Sequence, residues 1–155
     1  MAIEIKRILL PTDFSPYSAA ATKYACELVT TFDAELQLLH TLEVHLSSTP
    51  TFGMGLDLPR YVNESRAAAG KALTSVLDPQ WAAGRRVVRA VVEGSPKVEI
   101  VRYARTHDID LIVLATNGRS GLAHIIIGSV AEGVVRTAPC PVLTVRPEGH
   151  QFVMP

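Results

Sequence analysis

Cysteine is scarce in this chain of 155 residues, and neither sign of charge is in excess. The two cysteines, Cys26 and Cys140, form no CxxC pair and no zinc-ligand spacing, which argues against a disulfide-stapled scaffold and a thiolate metal site. Both lie among apolar residues and read as small buried hydrophobes, with a disulfide the poorer account. The histidines, at positions 40, 45, 107, 124 and 150, make no HExxH and no paired-ligand pattern, so no protein-built metal site is expected. Fifteen Lys and Arg balance fifteen Asp and Glu, leaving a formal charge of +0. Neutralising a phosphate backbone needs a basic excess, so nucleic acid is not an expected partner. The one local arginine cluster, Arg85, Arg86 and Arg89, reads as a solvated strand end. Long apolar runs are also missing. The longest, Leu111–Ala115 and Ile125–Ile127, fall far short of the roughly 20 residues that span a bilayer, which excludes membrane insertion by a helix. The opening MAIEIKRILLPTD lacks the charged-then-apolar pattern of a secretory signal, so export by that route is not indicated and a reducing cytoplasm is expected.

What is present is a core. Hydrophobic residues make up 48% of the chain and charged residues only 19%, a composition that excludes intrinsic disorder. Strand and helix patterns alternate from end to end. Ile5–Pro11 reads as a buried strand stopped by proline. Asp13-Phe14-Ser15-Pro16 supplies turn chemistry, with Ser15 a candidate cap and Pro16 suited to the first helical position. Ser18–Phe32 has apolar residues at 21, 24, 25, 28 and 29, one face of a helix. A second strand follows at Glu35–Leu42. Residues 43–59 carry Pro, Gly and Ser without periodicity and read as a long loop. Arg60–Leu77 is a helix ended by Asp78-Pro79, Val87–Val92 a strand, and Gly94-Ser95-Pro96 the start of a helix running to His107. Asp110–Ala115 is the most apolar strand, Ser129–Thr137 a helix, and Val142–Val145 the last strand. Five strands with intervening helices predict one doubly wound α/β domain, a five-stranded parallel sheet with helices on both faces.

In such sheets ligands bind beyond the carboxyl ends of the strands, where strand order reverses. Pro11-Thr12-Asp13, Thr41, and the stretch from Ala115 onward fall at such ends. The last reads ATNGRSGLAHIIIGSV, with Gly118, Gly121 and Gly128-Ser129 ahead of a helix. Glycine lets backbone approach an anion, and a helix start offers unpaired N–H groups. A tight structural turn needs the same residues. GxGxxG after the first strand, GxxxxGK[ST] and GxSxG are all absent. Asp13 could hold a ribose hydroxyl or a metal-bound phosphate, or it could cap the first helix. His40 reads as a satisfied core residue. Arg119 could meet a phosphate or stay solvated.

The segments RILLPTDFSPYSAAA, LLHTLE, EGSP and DLIVLATNGRSGLAHIIIGSVAEGVVRTAPCPVLTVRP, in this order and spacing, resemble the universal stress proteins over nearly the whole chain. The resemblance implies a Rossmann-like unit of the adenine nucleotide alpha hydrolase type over residues 1–147, followed by a short polar tail, 148–155. Members that bind ATP carry Gly, two residues, Gly, nine residues, Gly, then Ser or Thr. Gly118 and Gly128-Ser129 match the later elements, and Ala115 replaces the first glycine. By position, the resemblance puts Pro11, Thr12 and Asp13 around the adenosine, and Thr41, where many members have Val, against adenine through its backbone. Leu114 and Ala115 line the ribose side, and Gly118, Gly128, Ser129 and Val130 hold phosphates. The implied ligand is ATP, with ADP or AMP as alternatives, together with magnesium. The implied assembly is a homodimer paired through residues 141–146, acting on a protein partner the sequence does not name. Two other readings stand beside this one: an interaction protein with an empty site, and, ranked last, a slow nucleotide hydrolase.

Overall fold

The computed structural model describes residues 2–44, 55, 57–116 and 127–146. Strand β1, Arg7–Pro11, is buried from its second residue onward and leads through a turn to helix α1, Ser18–Phe32. Strand β2 is Glu35–Leu42, helix α2 Leu58–Thr74, and a short helix α3 spans Pro79–Ala82. Strand β3 (Val87–Glu93), helix α4 (Pro96–Thr106), strand β4 (Leu111–Ala115), helix α5 (Ser129–Thr137) and strand β5 (Val142–Val145) complete the order. The five strands form one parallel sheet in the order β3-β2-β1-β4-β5. The expected α/β architecture is therefore the one observed.

Both faces of the sheet are covered, which is why its central strands read as continuous apolar runs rather than alternating ones. Ile8, Leu10, Leu36, Leu38 and Val113 point to one side, against Ala21, Ala25 and Val29 of α1 and Leu73 of α2. Leu9, Leu39, Ile112 and Leu114 point to the other, against Ile100 and Ala104 of α4 and Ala131 and Val134 of α5. Each fully buried Leu or Ile among them contributes about 1.5–3 kcal/mol of transfer free energy. Among the described residues no helix is long and apolar enough to cross a membrane.

Several boundaries differ from expectation, each for a reason that lies far away in sequence. β1 opens at Arg7 rather than Ile5 because the amides of Lys6 and Arg7 donate to Asp110 Oδ2, at 2.8 and 2.9 Å. Asp110 lies one residue ahead of β4, and its own amide donates to Arg7 O at 3.0 Å. α1 is not capped by Ser15 as expected. Ser15 and Pro16 make a preceding turn, and the N-cap is Tyr17, whose side chain makes no capping bond. α2 starts inside the stretch expected to be loop, because Asp57 accepts from the Arg60 amide at 3.2 Å and Pro59 suits the first turn. α3 was not expected. Asp78 caps it through the Gln80 amide at 2.7 Å.

The arginine cluster is occupied with backbone carbonyls rather than merely solvated. Arg85 lies over the Trp81 ring at 4.6 Å and donates to Trp81 O, Arg86 donates to Asp33 O at 2.8 Å, and Arg89 donates to Leu73 O at 3.3 Å. Each reaches carbonyls at a helix carboxyl end, where the helix leaves acceptors unpaired and the dipole favours a cation. Cys26 and Cys140 are both free and half-buried. They pack on opposite faces of the sheet, which explains the absence of a bond between them.

Candidate functional site

Strand order reverses between β1 and β4. From β1 the chain steps to β2 and β3 on one side, and from β4 to β5 on the other. The β1–β4 ladder covers Ile8↔Leu111 and Leu9↔Ile112, while β1 runs on to Pro11 and β4 to Ala115. An open α/β sheet has its ligand crevice at the carboxyl ends of the strands beside this switch point.

The β1–α1 loop is held by its own polar groups. The Thr12 amide donates to Leu39 O at 2.9 Å, continuing the β1–β2 ladder by one residue. Thr12 Oγ1 accepts from the Phe14 amide at 3.1 Å and donates to Ser18 Oγ at 3.3 Å. Asp13 accepts from the Ser15 amide at 2.9 Å, a local turn closure rather than the cap of α1. Phe14 takes φ +62°, a left-handed conformation that a bulky residue adopts only when its surroundings hold it there. Part of that hold comes from His40, whose ring packs against Phe14 with centroids 4.4 Å apart and planes tilted by 31°. His40 is 6% exposed and its Nδ1 sits 2.8 Å from Thr12 O, so the nitrogen carries the proton and donates. The core reading of His40 holds, with an addition: it packs directly under the loop of the candidate site. Ser15 Oγ is buried and finds no partner among the described residues.

Across the switch point, β4 ends at Ala115 and α5 begins at Ser129, with Gly128 as its N-cap. The Gly128 amide donates to Thr116 O at 2.6 Å. A Cβ built on Gly128 would lie 2.7 Å from that same oxygen, so the glycine is required by backbone approaching backbone, whatever else binds there. Among the described residues no side chain caps α5. Glu132 in its first turn, which would otherwise offset the helix dipole, is engaged with Arg136 at 2.9 Å. Ser129 is exposed, and Val130 is half-buried against the core.

Of the remaining candidates, Pro11 is buried at the end of β1, and Thr41 stands two residues beyond the Pro11↔Leu39 pair, half-buried. The side chain of Leu114 belongs to the core on the α4–α5 face, and that of Ala115 packs on the α1 face. Either could present only its backbone to a ligand. Gly118, Gly121 and Arg119 lie outside the described residues. Sequence reasoning missed Phe14 and Thr116. A bulky residue forced to positive φ leaves no local trace in sequence, and Thr116 matters through its carbonyl, which any residue would supply. Among the described residues no three His, Cys, Asp or Glu gather as a metal site. Burial pushes the Cys26 thiol up to about 11 and raises that of Cys140, so neither is a ready nucleophile.

A family model described as the universal stress protein family matches residues 4–146. Universal stress protein MJ0531 of Methanocaldococcus jannaschii is 35% identical over 91% of this chain and 82% of its own. Among solved structures, universal stress protein UspA from Lactobacillus plantarum superposes with a TM-score of 0.79 at 28% identity, covering 94% of this chain and all of that one. A universal stress protein in complex with cAMP shares the fold with a TM-score of 0.67 at 20% identity, covering 93% and 99% of the two chains. The Archaeoglobus fulgidus protein in complex with dAMP shares it with a TM-score of 0.56 at 18% identity, covering 92% and 98%. The match over nearly every residue of the sheet and its helices, together with these likenesses, means that the chain belongs to the universal stress protein family.

Proposed function

We propose that this chain is an adenine-nucleotide-binding regulatory protein that holds ATP, with ADP or AMP as alternatives, at the carboxyl ends of β1 and β4 and does not consume it efficiently. The observation that carries the reading is the start of α5, which no side chain caps among the described residues, at the carboxyl end of β4 beside the switch point where the Thr12–Asp13 loop also lies. The amides of Ser129 and Val130 would hold phosphate there, aided by the helix dipole and the Ser129 hydroxyl. Gly118 and Arg119 join them on sequence grounds. Asp13 would hold a ribose hydroxyl or a metal-bound phosphate. Pro11, Thr12 and the backbone of Thr41 would surround the adenosine, and the backbones of Leu114 and Ala115 the ribose. Magnesium keeps several waters and needs only one or two carboxylates beside substrate phosphates, so Asp13 fits as its protein partner without a ligand cluster. The related complexes with cAMP and dAMP support an adenine ligand.

The unit proposed to act is a cytoplasmic homodimer paired through β5, carrying nucleotide occupancy to a protein partner. Among the described residues β5 lies at the sheet edge with β4 as its one neighbour, an arrangement that invites a further strand. Denaturing the protein as purified from cells should release adenine nucleotide. Titration calorimetry with ATP and magnesium should give a saturable heat that Asp13→Ala weakens by on the order of 1–3 kcal/mol. No released nucleotide and no heat would overturn the reading. The second reading, an interaction protein without nucleotide, draws on one specific observation: contact with Thr116 O accounts for Gly128 without any ligand. Phosphate release above that of a metal-stripped control would instead promote the slow hydrolase.

A further inference from the structure

We propose that the groove between α4 and α5 is a docking surface for a short acidic segment of a partner protein, centred on an aliphatic residue. The groove has a volume of about 580 Å³, and its lining includes Lys97, Val98, Arg102, Arg105, Gly133 and Arg136. On α4 these residues and Val101 recur as 97, 98, 101, 102 and 105, one stripe along the helix. The closeness of its walls rests on Gly133, where a Cβ would lie 3.1 Å from Lys97 Cβ.

Charge selects the occupant. Among the described residues four cations line the groove, and no carboxylate does. Glu99 pairs with Arg102 at 2.6 Å, and its side chain is only 12% exposed; Glu132 pairs with Arg136. Lys97 and Arg105 have no ion-pair partner among the described residues. The chain as a whole carries a formal charge of +0, so this face holds a local positive surplus that the remainder balances. The apolar element is Val98, 46% exposed, above the buried Val101. Nine helical steps from Lys97 to Thr106 span about 13 Å, the length of about four extended residues. Acidic residues flanking one aliphatic side chain meet each of these features: carboxylates at Lys97 and Arg105, and the aliphatic group on Val98. The groove lies between α4 and α5 on the side of the sheet opposite α1 and α2, and its lining shares no residue with those proposed to hold nucleotide, so the inference stands independently of nucleotide binding.

The test uses the full chain and a capped, fluorescein-labelled peptide of glutamates around a central leucine, read by anisotropy at low salt and again at high salt. Circular dichroism first confirms that each variant is folded. Binding should weaken at least about tenfold in Lys97→Glu/Arg105→Glu, and should fall with salt as exposed charge pairs do. Arg60→Glu/Lys71→Glu, with the same change of net charge on the opposite face, should stay within about twofold of the unmodified protein. Equal binding to both double variants, or none to the unmodified protein, would overturn the proposal. Equal binding of a peptide with serine for leucine would reduce the groove to a simple anion site and also overturn it. So would displacement of the peptide by single-stranded RNA at equal concentration. If sedimentation shows self-association that only Lys97→Glu/Arg105→Glu abolishes, the occupant is a second copy of this chain and the proposal falls.

Discussion

Replacing Gly128 with alanine adds one methyl carbon at the start of α5. That carbon would sit 2.7 Å from Thr116 O, closer than real Cβ contacts come, and the obstacle is backbone rather than a flexible side-chain end. Either Thr116 at the exit of β4 or the first turn of α5 must move. Overpacking of this kind costs about 1–3 kcal/mol. Straining the 2.6 Å bond from the Gly128 amide to the same oxygen adds to the cost. Opposing it, alanine has fewer unfolded conformations, a gain of about 0.4–1 kcal/mol, available because φ −67° is open to any residue. The net expectation is a loss of about 1–3 kcal/mol, or a fall of roughly 2–12 °C in Tm for a domain of this size. Thermal and urea unfolding of nucleotide-free protein measure it directly. A variant that melts within about 1 °C of the parent would refute the close-approach argument. Calorimetry with ATP on that same variant would then show whether the glycine serves phosphate instead.

Three further expectations follow from other parts of the fold. Asp110→Ala removes the acceptor for the Lys6 and Arg7 amides and should destabilise by about 1–2 kcal/mol in urea unfolding; an unchanged midpoint would show that the anchor is dispensable. Burial raises the Cys26 thiol to about 11, and an unfolded thiol ionises near 8.5, so its stabilising share is whole below that lower value and is lost as pH rises through 11. Urea midpoints should therefore fall more steeply between about pH 9 and 11 for the parent than for Cys26→Ala, and parallel curves would reject the assignment. Pro141 O, just before β5, accepts from the Ile112 amide, and Val145 O accepts from the Thr116 amide just past β4, an alternation that turns the amide of Thr144 to the free edge. Thr144→Pro should shift a β5-paired dimer to monomer in light scattering while leaving the β4 ladder intact, and an unaltered dimer mass would place the contact elsewhere.

Much of this architecture is legible along the chain because its signals are local. The alanine-rich face of Ser18–Phe32, the apolar run Glu35–Leu42 and the segment Ser129–Thr137 open and close where their spacing places them, since periodicity and propensity act within a few residues. The apolar strands also imply a sheet buried on both faces, and the alternation of strands with helices implies parallel pairing. The glycines ahead of α5 and the Thr12–Asp13 turn stand out in the sequence for the same local reasons.

What only the tertiary structure decided are the partners that distance in sequence hides. Asp110 sets the start of β1 across about a hundred residues. Arg85, Arg86 and Arg89 look like a solvated cluster until three helix ends arrive beside them. His40 reads as a satisfied core residue, but its partners stay hidden until the sheet brings Thr12 O and the strained Phe14 against it. Gly128 looks like a phosphate glycine until Thr116 O occupies the space its side chain would need. In each case the deciding atom is a backbone carbonyl or amide, a group every residue carries, so side-chain identity says nothing of where it will be; chain geometry alone brings it into place.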